Sequence, residues 1–139
     1  MNRTDNEKEE HTMPKTGFHA EGAPTPAGPY SHGVVANGFL YTAGFGPQDA
    51  ANAHAVADNV GDQTRQVLRN IEMVLAVHDL TMADVVKTTV HLADLADFAE
   101  FNEAYGEFFS APYPVRTTVG SQLADILVEI DVVAALPQA

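Results

Sequence analysis

Residues Gly33 to Gly44 read GVVANGFLYTAG: two short apolar runs, Gly33–Ala36 and Phe39–Ala43, joined by Asn37-Gly38. Both central positions of a type I′ turn need positive φ. Asn and Gly supply it at little steric cost, so this dipeptide between β-type residues predicts a hairpin. Gly44-Phe45-Gly46-Pro47 ends the second strand, and residues 48–57 read as an Ala/Asn/Asp loop.

Upstream of the hairpin, EGAPTPAGPY (21–30) holds three prolines and two glycines, the composition of an irregular, extended approach. Residues 1–16 are polar and charged without periodicity and are expected to form a disordered tail. The remainder, 17–139, is expected to be one domain.

Downstream, Val67, Leu68, Ile71, Val74, Leu75 and His78 follow i, i+3, i+4 spacing and predict a long amphipathic helix from about Asn59, with Asp58 as its cap. Thr81–Asp84 turns into VVKTTVHL (Val85–Leu92). There Val86, Thr88, Val90 and Leu92 alternate with Lys87, Thr89 and His91, as in a half-buried strand. Asp97 and Glu100 have capping-box spacing and open a second helix through Phe109, burying Phe98, Phe101, Tyr105 and Phe108. Ser110–Pro114 breaks it, and strands at Arg116–Gly120 and Ile126–Leu136 finish the chain. The order β-β-α-β-α-β-β predicts an α+β domain, with two helices packed on one face of a mixed sheet.

Composition narrows the function classes. The 139 residues carry 19 acids against seven Lys and Arg, a formal net charge of −12, which opposes phosphate backbones and disfavours nucleic-acid binding. No cysteine is present, so thiolate chemistry and disulfides are excluded. No apolar run approaches the ~20 residues that span a bilayer, and residues 1–16 lack the apolar segment of a signal peptide. A cytoplasmic chain is expected. The six histidines lack zinc-ligand spacing, so no metal is expected. His32 and His91 are either solvated or near a site.

Against this background one cation stands out. Arg116, in YPVRTTVG (113–120), is the sole Lys or Arg in the last 52 residues, which hold eight carboxylates. Strand parity puts Arg116, Thr118 and Gly120 on one face. Glu129 and Asp131 lie opposite the apolar Val128, Ile130, Val132 and Ala134. If the last two strands are hairpin neighbours, a register exists that brings Arg116 and Glu129 to one face. Two readings then stand: a surface ion pair of little energetic consequence, or an arginine fork for a small carboxylate beside an acid that positions water.

GPYSHGVVANGFLYTAG (28–44), VVKTTVHLADLADFAEFNEAYGEFF (85–109), PVRTTV (114–119) and VEI (128–130) together resemble the RidA/YjgF/L-PSP family, in family order over about residues 17–136. The resemblance implies a chorismate-mutase-like fold and a homotrimer with ligand clefts between subunits. It implies cofactor-independent hydrolysis of reactive enamines and imines of the 2-aminoacrylate and 2-iminopropionate type to a 2-oxo acid and ammonia. By position, Arg116 matches the arginine that grips the substrate carboxylate and Glu129 the glutamate associated with the hydrolytic water. Tyr30 matches a cleft tyrosine, Gly44 the backbone near the substrate, and Asn102 a helix asparagine close to the site.

Two further candidate substrate-binding positions depart from the family pattern. Thr118 stands where the deaminases carry Cys, and Phe45 where a Gln is familiar, in Ala43-Gly44-Phe45 rather than Ser-Gly-Gln. The span from Arg116 to Glu129 is two residues shorter. These departures leave open a diverged substrate, such as a biosynthetic intermediate, or a non-catalytic trimer that binds small 2-oxo acids.

Overall fold

A computed structural model describes residues 14–138. Most of the tail expected over residues 1–16 lies outside the described residues. Its last member, Thr16, instead begins a short strand, β1 (Thr16–Phe18), which pairs antiparallel with β2 (Gly33–Ala36). Three residues without alternation carry no periodicity, so β1 was invisible to pattern reading.

The hairpin forms as its turn residues require. β2 pairs with β3 (Phe39–Thr42), and Asn37 and Gly38 take φ of 51° and 83°. Helix α1 (Val60–Ala76) follows. Its cap is Asn59, one residue beyond the expected Asp58: the Asn59 side chain accepts from the Asp62 N–H at 2.8 Å. Val67, Leu68, Ile71, Val74 and Leu75 form its fully buried stripe.

β4 (Val85–Leu92) begins with a register shift between Val85 and Lys87. This bulge turns Val85 into the core and leaves Val86 exposed, against the simple alternation. Thr88, Val90 and Leu92 remain buried as expected.

In α2 (Phe98–Gly106), Asp97 makes no capping bond. Glu100 instead accepts from the Gly61 N–H at 2.8 Å, tying this helix to the first turn of α1. Arg65 bridges Asp62 and Glu107 and ties the same pair again. Of the expected aromatic stripe, Phe101 and Tyr105 are buried, but Phe98 is 41% exposed and Phe108 only half-buried; Phe109 takes the core place.

The last strands, β5 (Val115–Gly120) and β6 (Val128–Ala135), are not neighbours. The sheet order is β1-β2-β3-β6-β4-β5: β6 inserts between β3 and β4, and β5 runs parallel to β4 at the edge. A parallel edge strand reached by a helical crossover is the ordinary solution for a β-α-β unit, and β4-α2-β5 is one. The apolar parity of β6 is as expected, with Val128, Ile130, Val132 and Ala134 fully buried beneath the helices.

Candidate functional site

The sheet order decides what Arg116 and Glu129 can do. Arg116 is level with Thr88 of β4, and Thr88 with Val132 of β6; Glu129 is level with His91. Positions 129 and 132 are three apart, an odd offset on one strand, so the Arg116 and Glu129 side chains leave opposite faces of the sheet. The shared face expected from a terminal hairpin does not exist within the chain. The site residues fall into two groups instead.

The first group surrounds Glu129. Its carboxylate lies directly over Gly44: a β-carbon on Gly44 would sit 2.8 Å from Oε2 and 3.1 Å from the carboxyl carbon. Glycine at 44 is therefore a steric condition for the position of Glu129. A cavity of about 410 Å³ opens here, lined by Tyr30, His32, Gly44, Phe45, Ile126 and Glu129 among others. Phe45 is on the lining but exposes little surface. The ring is 5% exposed, belongs to the main core and pairs across the backbone with Ile130, so the aromatic at this position is mostly packing.

The outer wall of this cavity is an extended segment, and two side chains hold it. His32 is 3% exposed, not solvated. Its Nδ1 accepts from the Ala20 N–H at 2.9 Å, which requires a neutral ring with Nε2 protonated, and Nε2 then donates to the Pro24 carbonyl at 2.7 Å. Tyr30 accepts from the Ala27 N–H through its hydroxyl at 3.0 Å. The proline-rich approach is thus pinned by two neighbours of the hairpin. A histidine three residues past Gly-Pro in a strand-leading segment is a weak signal, because only the fold places both backbone partners around the ring.

The second group surrounds Arg116. The guanidinium lies over three rings of α2, at 4.8 Å from the Tyr105 centroid, 5.3 Å from Phe101 and 5.6 Å from Phe98. Cation–π contact of this kind is worth about 0.5–2 kcal/mol, and within the described residues no side-chain hydrogen bond takes up the N–H fork. No carboxylate pairs with it among the described residues. The surface ion pair of the simpler reading is absent there, and exposed Phe98 has its explanation as the rim of this shelf.

Tyr105 is oriented by a bond between its hydroxyl and Thr88 Oγ1 at 2.9 Å, and burial pushes its phenol above the ordinary value. A hollow of about 330 Å³ beside the guanidinium is lined by Tyr105, Gly106, Tyr113, Pro114 and Arg116. Thr118, two residues along the same face, buries its hydroxyl with no hydrogen-bond partner among the described residues. A buried orphan hydroxyl is uncommon and calls for a partner. Asn102 sits half-buried on α2 and makes no side-chain hydrogen bond within the described residues.

The face of the sheet away from the helices is apolar with a polar centre. Phe39, Tyr41, Val115 and Val119 are exposed on it. His91, bonded through Nδ1 to Ser121 Oγ at 2.7 Å, and Asp131 lie at its middle. Burial raises the Asp131 carboxyl above the usual value, with the charges of His91 and Lys87 opposing. No group of His, Cys, Asp and Glu suited to a metal occurs among the described residues, and none of their helices is long and apolar enough to cross a membrane.

Comparison with known proteins agrees with the architecture. Residues 20–136 match the family model for Endoribonuclease L-PSP. A RutC family protein of Pyrococcus horikoshii is 44% identical over 82% of this chain and 92% of its own length. Reactive Intermediate Deaminase A of the Arabidopsis thaliana chloroplast is 39% identical over 84% of this chain and 63% of its own. Among solved structures, E. coli TdcF with bound serine superposes with a TM-score of 0.82 at 31% identity, covering 88% of this chain and 99% of that one.

Proposed function

The chain belongs to the Endoribonuclease L-PSP family, which includes a reactive intermediate deaminase, and on that premise we propose that it hydrolyses reactive 2-imino acids and their enamine tautomers to 2-oxo acids and ammonia. The observation that carries the reading is Arg116: a guanidinium lying over three aromatic rings, unpaired with any carboxylate of the described residues, in a chain of net charge −12. In a chain of that charge, an unpaired guanidinium is a local attraction for a small anion. The relative with bound serine, a small amino acid, fits the same preference.

Arg116 grips the substrate carboxylate, with Thr118 Oγ1 as a neighbouring polar contact and Asn102 close by. Glu129, held over Gly44, orients a water toward the imine carbon, and Tyr30 covers the cleft. Water adds to the C=N carbon, ammonia leaves, and the 2-oxo acid remains. The imine carbon is already electrophilic, so anchoring and orientation supply most of what is needed and no cofactor takes part.

Because Arg116 and Glu129 leave opposite faces of one sheet, the complete site takes them from two copies. We propose a cyclic homotrimer with a cleft at each subunit boundary, in which the exposed apolar sheet face and the edge strand β5 are covered. The charge balance disfavours RNA as a partner, and a cytoplasmic location is the one we propose.

The test couples an amino-acid oxidase and alanine to semicarbazide trapping. The protein is expected to lower imine trapping and accelerate ammonia release, and Arg116→Ala to abolish both. Absence of any effect would leave the non-catalytic reading, whose mark is thermal stabilisation by 2-oxo acids that depends on Arg116 without turnover.

A further inference from the structure

The cavity beside Glu129 is larger than the smallest imines require. At about 30 Å³ per water-sized group, its 410 Å³ has room for more than ten such groups. Besides Gly44 and Glu129, its lining includes Tyr30, Ile126, Gln48 and His54.

The part of the lining around Gln48 is built, not left over. Gly46 has no side chain, and its missing β-carbon would fall 2.6 Å from the Gln48 amide oxygen and 3.2 Å from Ile126 Cδ1. The Gln48 side chain therefore folds back over Gly46 and lies beside Ile126 on the cavity wall. Its amide makes no hydrogen bond within the described residues, so one acceptor and two N–H donors remain available.

The backbone beneath it is fixed. Asn70 of α1, fully buried, donates through Nδ2 to the carbonyls of Gly46 and Gln48, at 3.0 and 2.9 Å, and accepts from Gln66 Nε2 at 3.0 Å. A buried amide spent on two loop carbonyls keeps the 46–48 turn in one place. His54, also on the lining, is set by a closed turn in which its N–H bonds the Asp49 carbonyl at 2.8 Å.

We propose that this cavity receives the substrate side chain and that the chain's preferred substrates are 2-imino acids with an extended side chain ending in a neutral hydrogen-bonding group, read by Gln48. The proposal rests on the deaminase reading and deepens it. With the carboxylate on Arg116 and the imine carbon at Glu129, the substituent on that carbon points along the apolar stretch by Ile126 and Tyr30. Its tip meets the free amide of Gln48. A methyl substituent stops short and leaves both the apolar wall and the amide unused.

Three imines generated in situ from alanine, norleucine and glutamine separate size from polarity. The expected kcat/KM order is glutamine, then norleucine, then alanine, with at least about tenfold between successive members, since an apolar pocket reads even one methylene at about tenfold or more. Gln48→Leu is expected to reverse the glutamine-to-norleucine order, and Ile126→Trp to lower both long substrates relative to alanine. These are ratios within one preparation, so partial unfolding of a variant does not disturb them. Equal rates for all three, or a preference for alanine, overturns the proposal while the deaminase reading stands. An unchanged glutamine-to-norleucine ratio in Gln48→Leu overturns the role of Gln48. Turnover of none of the three overturns the deaminase reading, and the substrate class with it.

Discussion

The Glu129 and Arg116 regions lie on opposite faces of one sheet and are constructed differently. Around Glu129 the backbone itself is constrained: Gly44 leaves the carboxylate its place, His32 pins Ala20 and Pro24, and Asn70 pins Gly46 and Gln48. Around Arg116 the support is aromatic surface, on an edge strand whose first residue, Val115, is 66% exposed. The first region is a finished recess. The second is a shelf with a free guanidinium fork and a buried hydroxyl that lacks a partner, which is how half of a shared cleft should look.

The largest effect on this contrast is expected at Gly44. Gly44→Val puts side-chain atoms where the Glu129 carboxylate lies, with the first already at 2.8 Å from Oε2. Activity should fall by a factor of a hundred or more, the order lost when a catalytic group is displaced by about an ångström. A crystal structure should find Glu129 rotated out of the recess. Full activity in this variant would show that Glu129 does not act from the position described.

On the other side, Tyr105→Phe removes the bond to Thr88 and leaves a buried hydroxyl without its partner. The cost is expected to be about 1–3 kcal/mol in chemical denaturation. It carries a pH signature. Burial raises the Tyr105 phenol, so the folded state holds that proton longer than the unfolded chain. Stability from this group is complete below the ordinary tyrosine value and is lost as pH rises through it toward the raised one. Tyr105→Phe should flatten that alkaline slope.

A smaller effect belongs to Asp131 on the open sheet face. Its carboxyl is raised by burial, so the charged form opposes folding, and stability should decline as pH rises from the ordinary aspartate value through the raised one. Asp131→Asn is expected to raise the melting temperature modestly at neutral pH and to remove that decline. A lower melting temperature would mean that the charge has a favourable partner in the assembled protein.

These regions also mark how far sequence reading reaches. The Asn37-Gly38 hairpin, the α1 stripe and the β6 parity are local patterns, and each was legible because a few neighbouring residues determine it. So was Arg116, as a cation isolated in an acidic segment. What was not legible is the pairing of the last strands. A hairpin between β5 and β6 is as consistent with parity as the observed arrangement, in which β6 crosses to lie between β3 and β4. That one choice moves Arg116 and Glu129 from one face to two. The same holds for Glu100, which reads as a capping partner of Asp97 but bonds Gly61, 39 residues away. His32 belongs with these, since both of its partners come from backbone folded around it.

The division of the site between two copies is tested most directly by subunit mixing. Arg116→Ala and Glu129→Gln are each expected to be inactive alone. Unfolded together in equal amounts and refolded, they should regain about a quarter of wild-type activity, because in a closed ring one boundary in four joins an intact Arg116 to an intact Glu129. No recovery on mixing, with assembly of the mixed rings verified by mass, would contradict a cleft shared between subunits.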